Sequence, residues 1–163
     1  MDESAMSDRY IFVTEKAITY ETVKRHVVPM HPGKLDCPKQ VMLLLEPIFE
    51  RSPIERLYAV AINSSNDFLG LIKLAQGTVG RASIYPRELV SFLLVETNAT
   101  AVILSHNHPG GRSKPSDEDL RFTRRLTELL DALEVTLLDH LIYTPEILDR
   151  ESRWVSMKES GLI

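Results

Sequence analysis

Two histidines, a serine and a carboxylate follow one another closely in the second half of the chain, in the order His106, His108, Ser116 and Asp119. Side chains two positions apart on an extended backbone point the same way, so both imidazoles can face one metal ion. Pro115 precedes Ser116 where a helix should begin, which puts Asp119 in the first turn of that helix. Two imidazole nitrogens, one carboxylate oxygen and an open position for water are the usual composition of a catalytic zinc site. The spacing therefore predicts a metal centre where a strand ends.

Ser116 and Asp119 also fit a structural role. In a capping box the serine caps the helix N-terminus, and an acidic residue three positions later reaches back to the serine backbone. This pair alone is compatible with a helix cap as well as with a metal site. The four residues together favour a metal site.

The predicted site needs a buried strand before it and a helix after it. Residues 101–104 form a short continuous apolar run, typical of a strand buried on both faces. Residues 105–115 contain two prolines and a Gly-Gly pair, so they are predicted to be irregular. The helix expected over 116–133 carries leucines along one face, which should pack on the core.

The rest of the chain predicts the sheet that would hold this strand. Residues 57–62 and 68–75 are β-prone runs separated by five turn-forming residues, which predicts a hairpin. Helices are expected over 40–49, where Pro47 should kink or end the helix, and from Pro86 to about residue 97. Further expectations are strands at 10–13, 84–85, 135–143 and 154–157, a helix or strand over 20–28, and a loop over 30–38. This order indicates an α/β (α+β) fold with a mixed central sheet flanked by helices.

Composition indicates one soluble globular domain. The chain has 163 residues, 44% of them hydrophobic, and no apolar run approaches the ~20 residues needed to span a membrane. A single cysteine excludes an internal disulfide, and the acidic and polar start does not resemble a secretion signal, so a cytoplasmic location is expected. The net charge of -4 argues against a domain dominated by attraction to nucleic-acid phosphates.

The spacing of His106, His108, Ser116 and Asp119 resembles the JAMM (MPN) metalloprotease motif, and the surrounding sequence resembles the bacterial RadC family more specifically. The matching segments, in order, are Gly77-Thr78, Pro86-Arg87-Glu88, His106-Asn107-His108-Pro109-Gly110, Pro115-Ser116, Asp139-His140 and Val155-Ser156. Two departures, at Gly111 and at 143–145, touch no ligand position.

The resemblance covers residues 50–163 and implies an MPN or cytidine-deaminase-like domain over that range. Residues 1–49 are expected to be an N-terminal extension that is part of the domain or packed on it. This extension lacks the helix-hairpin-helix segment of longer RadC proteins, which removes one argument for DNA binding.

The resemblance also implies a role for each site residue. His106, His108 and Asp119 would hold one zinc ion per chain, and a glutamate would accept the proton of the zinc-bound water. Glu55 is the preferred candidate because it matches the acid of the family just before the first central strand. The competing acid, Glu88, more plausibly stabilises a helix N-terminus through the helix dipole. Ser116 would donate a hydrogen bond to the water or to the developing oxyanion.

The remaining histidines and the cysteine have simpler interpretations. His26 and His31 are interpreted as surface or loop residues. His140 lies in an alternating strand, where it could line the pocket, although a hydrogen-bonded sheet histidine is the preferred interpretation. Cys37 has no partner nearby in the sequence and is interpreted as an inert thiol.

The leading functional hypothesis is a zinc-dependent hydrolase that cleaves a peptide or isopeptide bond in a peptide or protein substrate. The alternatives are a catalytically silent interaction module that keeps the metal site and a DNA-repair-associated DNA binder, ranked in that order. Nucleic-acid binding is suggested by the DNA-repair link of the family and by a basic cluster around the site. The cluster comprises Arg112, Lys114, Arg121, Arg124 and Arg125. Such a cluster is usually a solvated helix face, so nucleic acid is possible but not favoured, and no membrane partner is expected.

Overall fold

The fold is a mixed β-sheet with helices on both faces, as seen in a computed structural model. The structure describes residues 11–14, 26–28, 33–77, 86–112, 114–145 and 153–163. The helices are α1 (Pro38–Phe49), α2 (Pro86–Ser91) and α3 (Asp117–Asp131). The strands are β1 (Ile11–Thr14), β2 (His26–Val28), β3 (Arg56–Ile62), β4 (Phe68–Gln76), β5 (Ala101–Asn107), β6 (Thr136–Tyr143) and β7 (Trp154–Ser156). The expected mixed sheet flanked by helices is therefore confirmed.

The strand order across the sheet is β2-β1-β4-β3-β5-β6-β7. Strands β3 and β4 form the predicted antiparallel hairpin, and β3 also pairs antiparallel with β5. Strand β6 runs parallel to β5 after the crossover through α3. Strand β3 therefore begins at the same edge of the sheet at which β5 and β6 end.

Alternation along the strands divides the core between the two faces of the sheet. Val60, Ile103 and Leu141 belong to the cluster that packs against α1, whereas Ala59, Leu104 and leucines of α3 belong to the opposite cluster. All seven residues of β5 are buried, as expected for a strand covered on both faces. This central strand leads directly into the predicted metal-binding loop.

Strand β5 is longer than the sequence predicts. Residues 105–115 were expected to be irregular, but Ser105, His106 and Asn107 belong to the strand. Leu57 of β3 and Ile142 of β6 pair with His106 on its two sides, and these neighbours keep the backbone extended. The prediction for these three residues is wrong because the prolines and glycines that interrupt regular structure begin only at Pro109.

Helix α1 begins two residues earlier than predicted. Pro38, expected in a loop, occupies the start of the helix, where its missing N–H costs nothing. Gln40 receives hydrogen bonds from the backbone N–H groups of Asp36 and Cys37 through its side-chain oxygen. Pro47 lies within the last turn, and the helix ends two residues later at Phe49.

The helix predicted from Pro86 changes from α-helical to π-helical partway along its length. Helix α2 ends at Ser91 and continues as one π-helical turn over Phe92–Glu96. The Thr97 hydroxyl closes this turn by hydrogen bonding to the carbonyls of Phe92 and Leu93. A Cβ atom on Gly70 of β4 would lie 3.1 Å from the Phe92 ring, so a residue without a side chain suits this close contact.

Some predictions fall outside the described residues. These are the strand at 84–85, the position of His31 and most of the uncertain segment 20–28, of which His26–Val28 is a strand. Among the described helices, none combines the length and the apolar character needed to cross a membrane.

Candidate metal centre

The predicted metal ligands meet at the edge of the sheet where β5 ends and α3 begins. His106 is fully buried in β5, and His108 follows the strand, where its backbone N–H donates to the carbonyl of Tyr143. Asp119 projects from the first turn of α3 and is 4% exposed. The end of β5 and the start of α3 thus bring together three side chains from a short stretch of sequence.

The candidate ligand atoms of the three residues lie close to one another. The Nε2 atoms of His106 and His108 are 2.8 Å apart. Asp119 places Oδ1 3.3 Å from His106 Nε2 and Oδ2 3.5 Å from His108 Nε2. One ligand atom from each residue lies within 4.8 Å of the others, so the three residues could hold a metal ion.

Asp119 is held in place by the helix cap. The Ser116 hydroxyl accepts a hydrogen bond from the Asp119 N–H and donates one of 2.7 Å to Oδ2. The Ser116 N–H donates to the same Oδ2 at 2.8 Å. The cap is therefore formed while the carboxylate faces both histidines, so the two interpretations of this pair are compatible. The Ser116 residue itself is exposed.

The outer nitrogens of both histidines have protein partners. His108 Nδ1 lies 2.5 Å from the Arg112 carbonyl oxygen, and His106 Nδ1 lies 2.8 Å from His140 Nε2. His140 Nδ1 in turn lies 2.7 Å from the Thr123 hydroxyl. Because the Arg112 carbonyl can only accept, neutral His108 carries its proton on Nδ1 and presents the Nε2 lone pair to the cluster. Such imidazole nitrogens beside a carboxylate fit a zinc ion.

The carboxylate dominates the electrostatics of the site. Burial raises the pKa of Asp119, but interactions with His106, His108 and Ser116 outweigh burial and hold that pKa far below its ordinary range. Burial also acts to lower the pKa of His108, but its hydrogen bonds to Asp119 and the Arg112 carbonyl and nearby negative charge raise it overall. The site thus keeps a negative charge available for a cation.

The pKa values of the two fully buried histidines, His106 and His140, are lowered. Burial lowers the pKa of His106 overall, although Asp119 opposes this shift. Burial and the neighbouring His106 lower the pKa of His140 well below its ordinary value. Both side chains are therefore neutral near pH 7.

Glu55 lies immediately before β3, at the same sheet edge as the histidines. Its charge acts on His106 and on His108, in each case raising the pKa. Glu88 lies in the first turn of α2, the position expected for an acid that favours a helix N-terminus. The assignment of Glu55 as the base and of Ser116 as an oxyanion donor stays a prediction.

Sequence reasoning missed the buried amide that connects Glu55 to the ligand loop. The Asn107 side chain accepts a hydrogen bond from the Arg56 N–H at 2.8 Å and donates one to the Ile54 carbonyl at 3.1 Å. It thereby holds the backbone on both sides of Glu55. A polar residue between two ligand histidines was the available signal.

Thr123 was also missed, although its position follows from helix geometry. It lies four residues after Asp119, one turn along α3 on the same face. Its contact with His140 confirms the interpretation of that residue as a hydrogen-bonded sheet histidine. The basic residues around the loop, namely Arg112, Lys114, Arg121, Arg124 and Arg125, are exposed, as expected for a solvated surface.

A family model described as "RadC-like JAB domain" matches residues 35–162. The chain belongs to this family. The family match includes helix α1 as well as the ligand loop.

The chain is also similar to curated relatives along much of its length. A "UPF0758 protein" of Alcanivorax borkumensis is 38% identical over 136 residues, which cover 83% of this chain and 58% of the relative. Another, of Pseudomonas fluorescens, is 37% identical over 124 residues, covering 75% of this chain and 55% of that protein. A third, of Neisseria meningitidis, is 42% identical over 93 residues, covering 57% and 41%. The chain spans about half the length of these relatives.

Proposed function

We propose that this RadC-like domain is a zinc-dependent hydrolase of the JAMM type that cleaves a peptide or isopeptide bond. The observation that carries the proposal is the convergence of His106, His108 and Asp119 at the sheet edge where Glu55 also lies. The proposed cofactor is one zinc ion per chain. A peptide or protein is the proposed substrate.

Each side chain has a distinct task in this proposal. A bound zinc ion would supply Lewis acidity, lowering the pKa of a water molecule and polarising the scissile carbonyl. Glu55 would take the proton of the attacking water and pass it to the leaving amine. Ser116, whose hydroxyl now donates to Asp119 Oδ2, would donate instead to the developing oxyanion.

The surroundings support this division of tasks. Asn107 fixes the backbone on both sides of Glu55, and a general base must be held within hydrogen-bonding reach of the proton it removes. The exposed thiol of Cys37 suits a reducing compartment, and a cytoplasmic location is part of the proposal.

The experiment that tests the proposal compares the two acids. Glu55→Gln should retain zinc and lose turnover on a peptide library by about 10²- to 10⁴-fold, because glutamine cannot accept the proton. Asp119→Asn should lose both zinc and activity, because an amide is a poor substitute for a ligand carboxylate. Glu88→Gln is the matched control, and it should retain both properties.

The possible results separate the alternatives. If Glu88→Gln abolishes turnover with zinc intact while Glu55→Gln is fully active, the assigned base is wrong. Full zinc retention by both His106→Ala and His108→Ala would refute the metal centre. Zinc binding without any cleavage would favour the interaction module over the hydrolase.

A further inference from the structure

The outer side of His106 is bound to a buried chain of hydrogen bonds. His106 Nδ1 contacts His140 Nε2, and His140 Nδ1 contacts the Thr123 hydroxyl. The same hydroxyl donates a 2.6 Å hydrogen bond to the main-chain carbonyl of Asp119. We propose that Thr123 and His140 are positioning residues that fix the tautomer of His106; the metal-binding part of this inference rests on the proposed function.

The proton positions follow from the fixed end of this chain. The Asp119 carbonyl can only accept, so the single hydroxyl proton of Thr123 is committed to it. The Thr123 oxygen must then accept from His140, which puts the proton of neutral His140 on Nδ1. His140 Nε2 is consequently an acceptor and receives the Nδ1 proton of His106.

This order of protons leaves the Nε2 atom of neutral His106 with its lone pair. The Arg112 carbonyl fixes the same tautomer in neutral His108, so once His108 has lost its second proton the two Nε2 lone pairs face each other across 2.8 Å. Such an arrangement repels unless a cation lies between the nitrogens and the adjacent carboxylate. The chain of hydrogen bonds therefore prepares His106 for a cation before one binds.

Burial makes this arrangement specific. Thr123, His106 and His140 are all 0% exposed, so bulk water cannot easily replace a missing partner. The backbone of His140 is also held, because its N–H donates to Asp139 Oδ1 and its carbonyl accepts from the Met157 N–H. The imidazole of His140 is thus fixed from both its ring and its main chain.

The tautomer can be observed directly without zinc. Long-range ¹⁵N–¹H correlation spectra of the metal-free protein at pH ~9, above the ordinary histidine pKa of ~6.5, distinguish protonated from unprotonated ring nitrogens. We expect His106 and His140 to carry their protons on Nδ1. A proton on His106 Nε2 with Nδ1 unprotonated would overturn the proposal.

Paired threonine substitutions test the effect on metal binding. Thr123→Val removes the hydroxyl of the chain, and Thr127→Val is its matched control, because Thr127 donates similarly to the Thr123 carbonyl one turn later. Zinc affinity, measured by competition with a chromophoric chelator, should fall about 10-fold in Thr123→Val, as is typical for such outer partners. It should be unchanged in Thr127→Val, and equal effects in the two variants would refute the inference.

Substitution of His140 gives a second readout. His140→Leu keeps the bulk but removes the acceptor, and we expect about a 10- to 100-fold loss of zinc affinity and a mixture of His106 tautomers. His140→Gln can present an oxygen near the Nε2 position and should restore the Nδ1–H tautomer of His106. If leucine and glutamine behave alike in the spectra, His140 fills space and does not set the tautomer.

These results are distinguishable from failure of the proposed function. A wild-type protein that binds zinc but cleaves nothing refutes the hydrolase. The tautomer spectra and the zinc affinities of the variants still test the roles of His140 and Thr123. A wild-type protein that binds no zinc refutes the metal centre, and the tautomer spectra alone then decide the role of His140 and Thr123.

Discussion

Zinc binding should release one proton near neutral pH, and His108 should be its source. A ligand must be deprotonated before it can bind a metal ion. Asp119 is already ionised because its pKa lies far below its ordinary range, and the pKa of buried His106 is lowered. The pKa of His108 is raised, chiefly by Asp119 acting against burial, so we expect His108 to be the ligand that loses an additional proton when zinc binds.

The expected pH dependence of zinc affinity follows from the number of protons released. Above the pKa of His108, protonation of the ligands should no longer lower the apparent zinc affinity. Below it the affinity should fall tenfold per pH unit, which is about 1.4 kcal/mol of binding free energy per unit. Because the pKa is raised, this decline should begin above the ordinary histidine pKa of ~6.5. A second proton should contribute only at lower pH, where His106 titrates.

Two measurements check the proton count. Chelator competition from pH ~5.5 to ~9 gives the slope, and calorimetric titration in buffers of different ionisation enthalpy gives the protons released. No proton release near pH 7, or a flat affinity down to pH ~6, would refute the reasoning. In metal-free Asp119→Asn the His108 pKa should fall, because the carboxylate that counteracts the effect of burial has been removed. An NMR titration of His108 measures this change.

Three further predictions concern stability and are checked by thermal or urea unfolding. Ser116→Ala removes the cap of α3 and should cost about 1 kcal/mol, lowering Tm by roughly 2–4 °C and weakening zinc binding. Asn107→Leu leaves the Arg56 N–H and the Ile54 carbonyl without their side-chain partner and should cost roughly 2–6 kcal/mol, at about 1–3 per group. Chelating zinc present at 100 times its Kd should remove about 2.7 kcal/mol, or roughly 5–11 °C in Tm. An unchanged Tm would contradict the prediction in each case.

The sequence predicts the fold wherever periodicity and turn residues agree. The hairpin of β3 and β4 and helix α3 lie close to the predicted positions, because alternation, turn residues and a leucine face each specify one structure. The end of β5 could not be predicted in this way. His106 and Asn107 are polar, and only pairing with β3 and β6 on both sides shows that they belong to a strand.

In the candidate site, too, features set by local sequence could be predicted and features set by strand pairing could not. The meeting of His106, His108 and Asp119 could be predicted because the three residues are close in sequence and their spacing fits a strand followed by a helix. The partners of His106 could not, because the contact with His140 depends on the register of β6 beside β5, which no local pattern states. The role of Asn107 could not be predicted for a similar reason, because its partners lie more than 50 residues upstream.

The distances along the chain within this site have a consequence for folding. The ligands and the residues that orient them all belong to β5, α3, β6 and the loops between them, so their contacts close short loops. Glu55 joins them only through pairing of β3 with β5, across a separation of 51 residues between Arg56 and Asn107. Local contacts generally form before distant ones, because less chain entropy is lost in closing them. Under the proposed function, a partly folded chain would therefore bind metal before Glu55 could accept a proton from water, and cleavage would begin only once the sheet is complete.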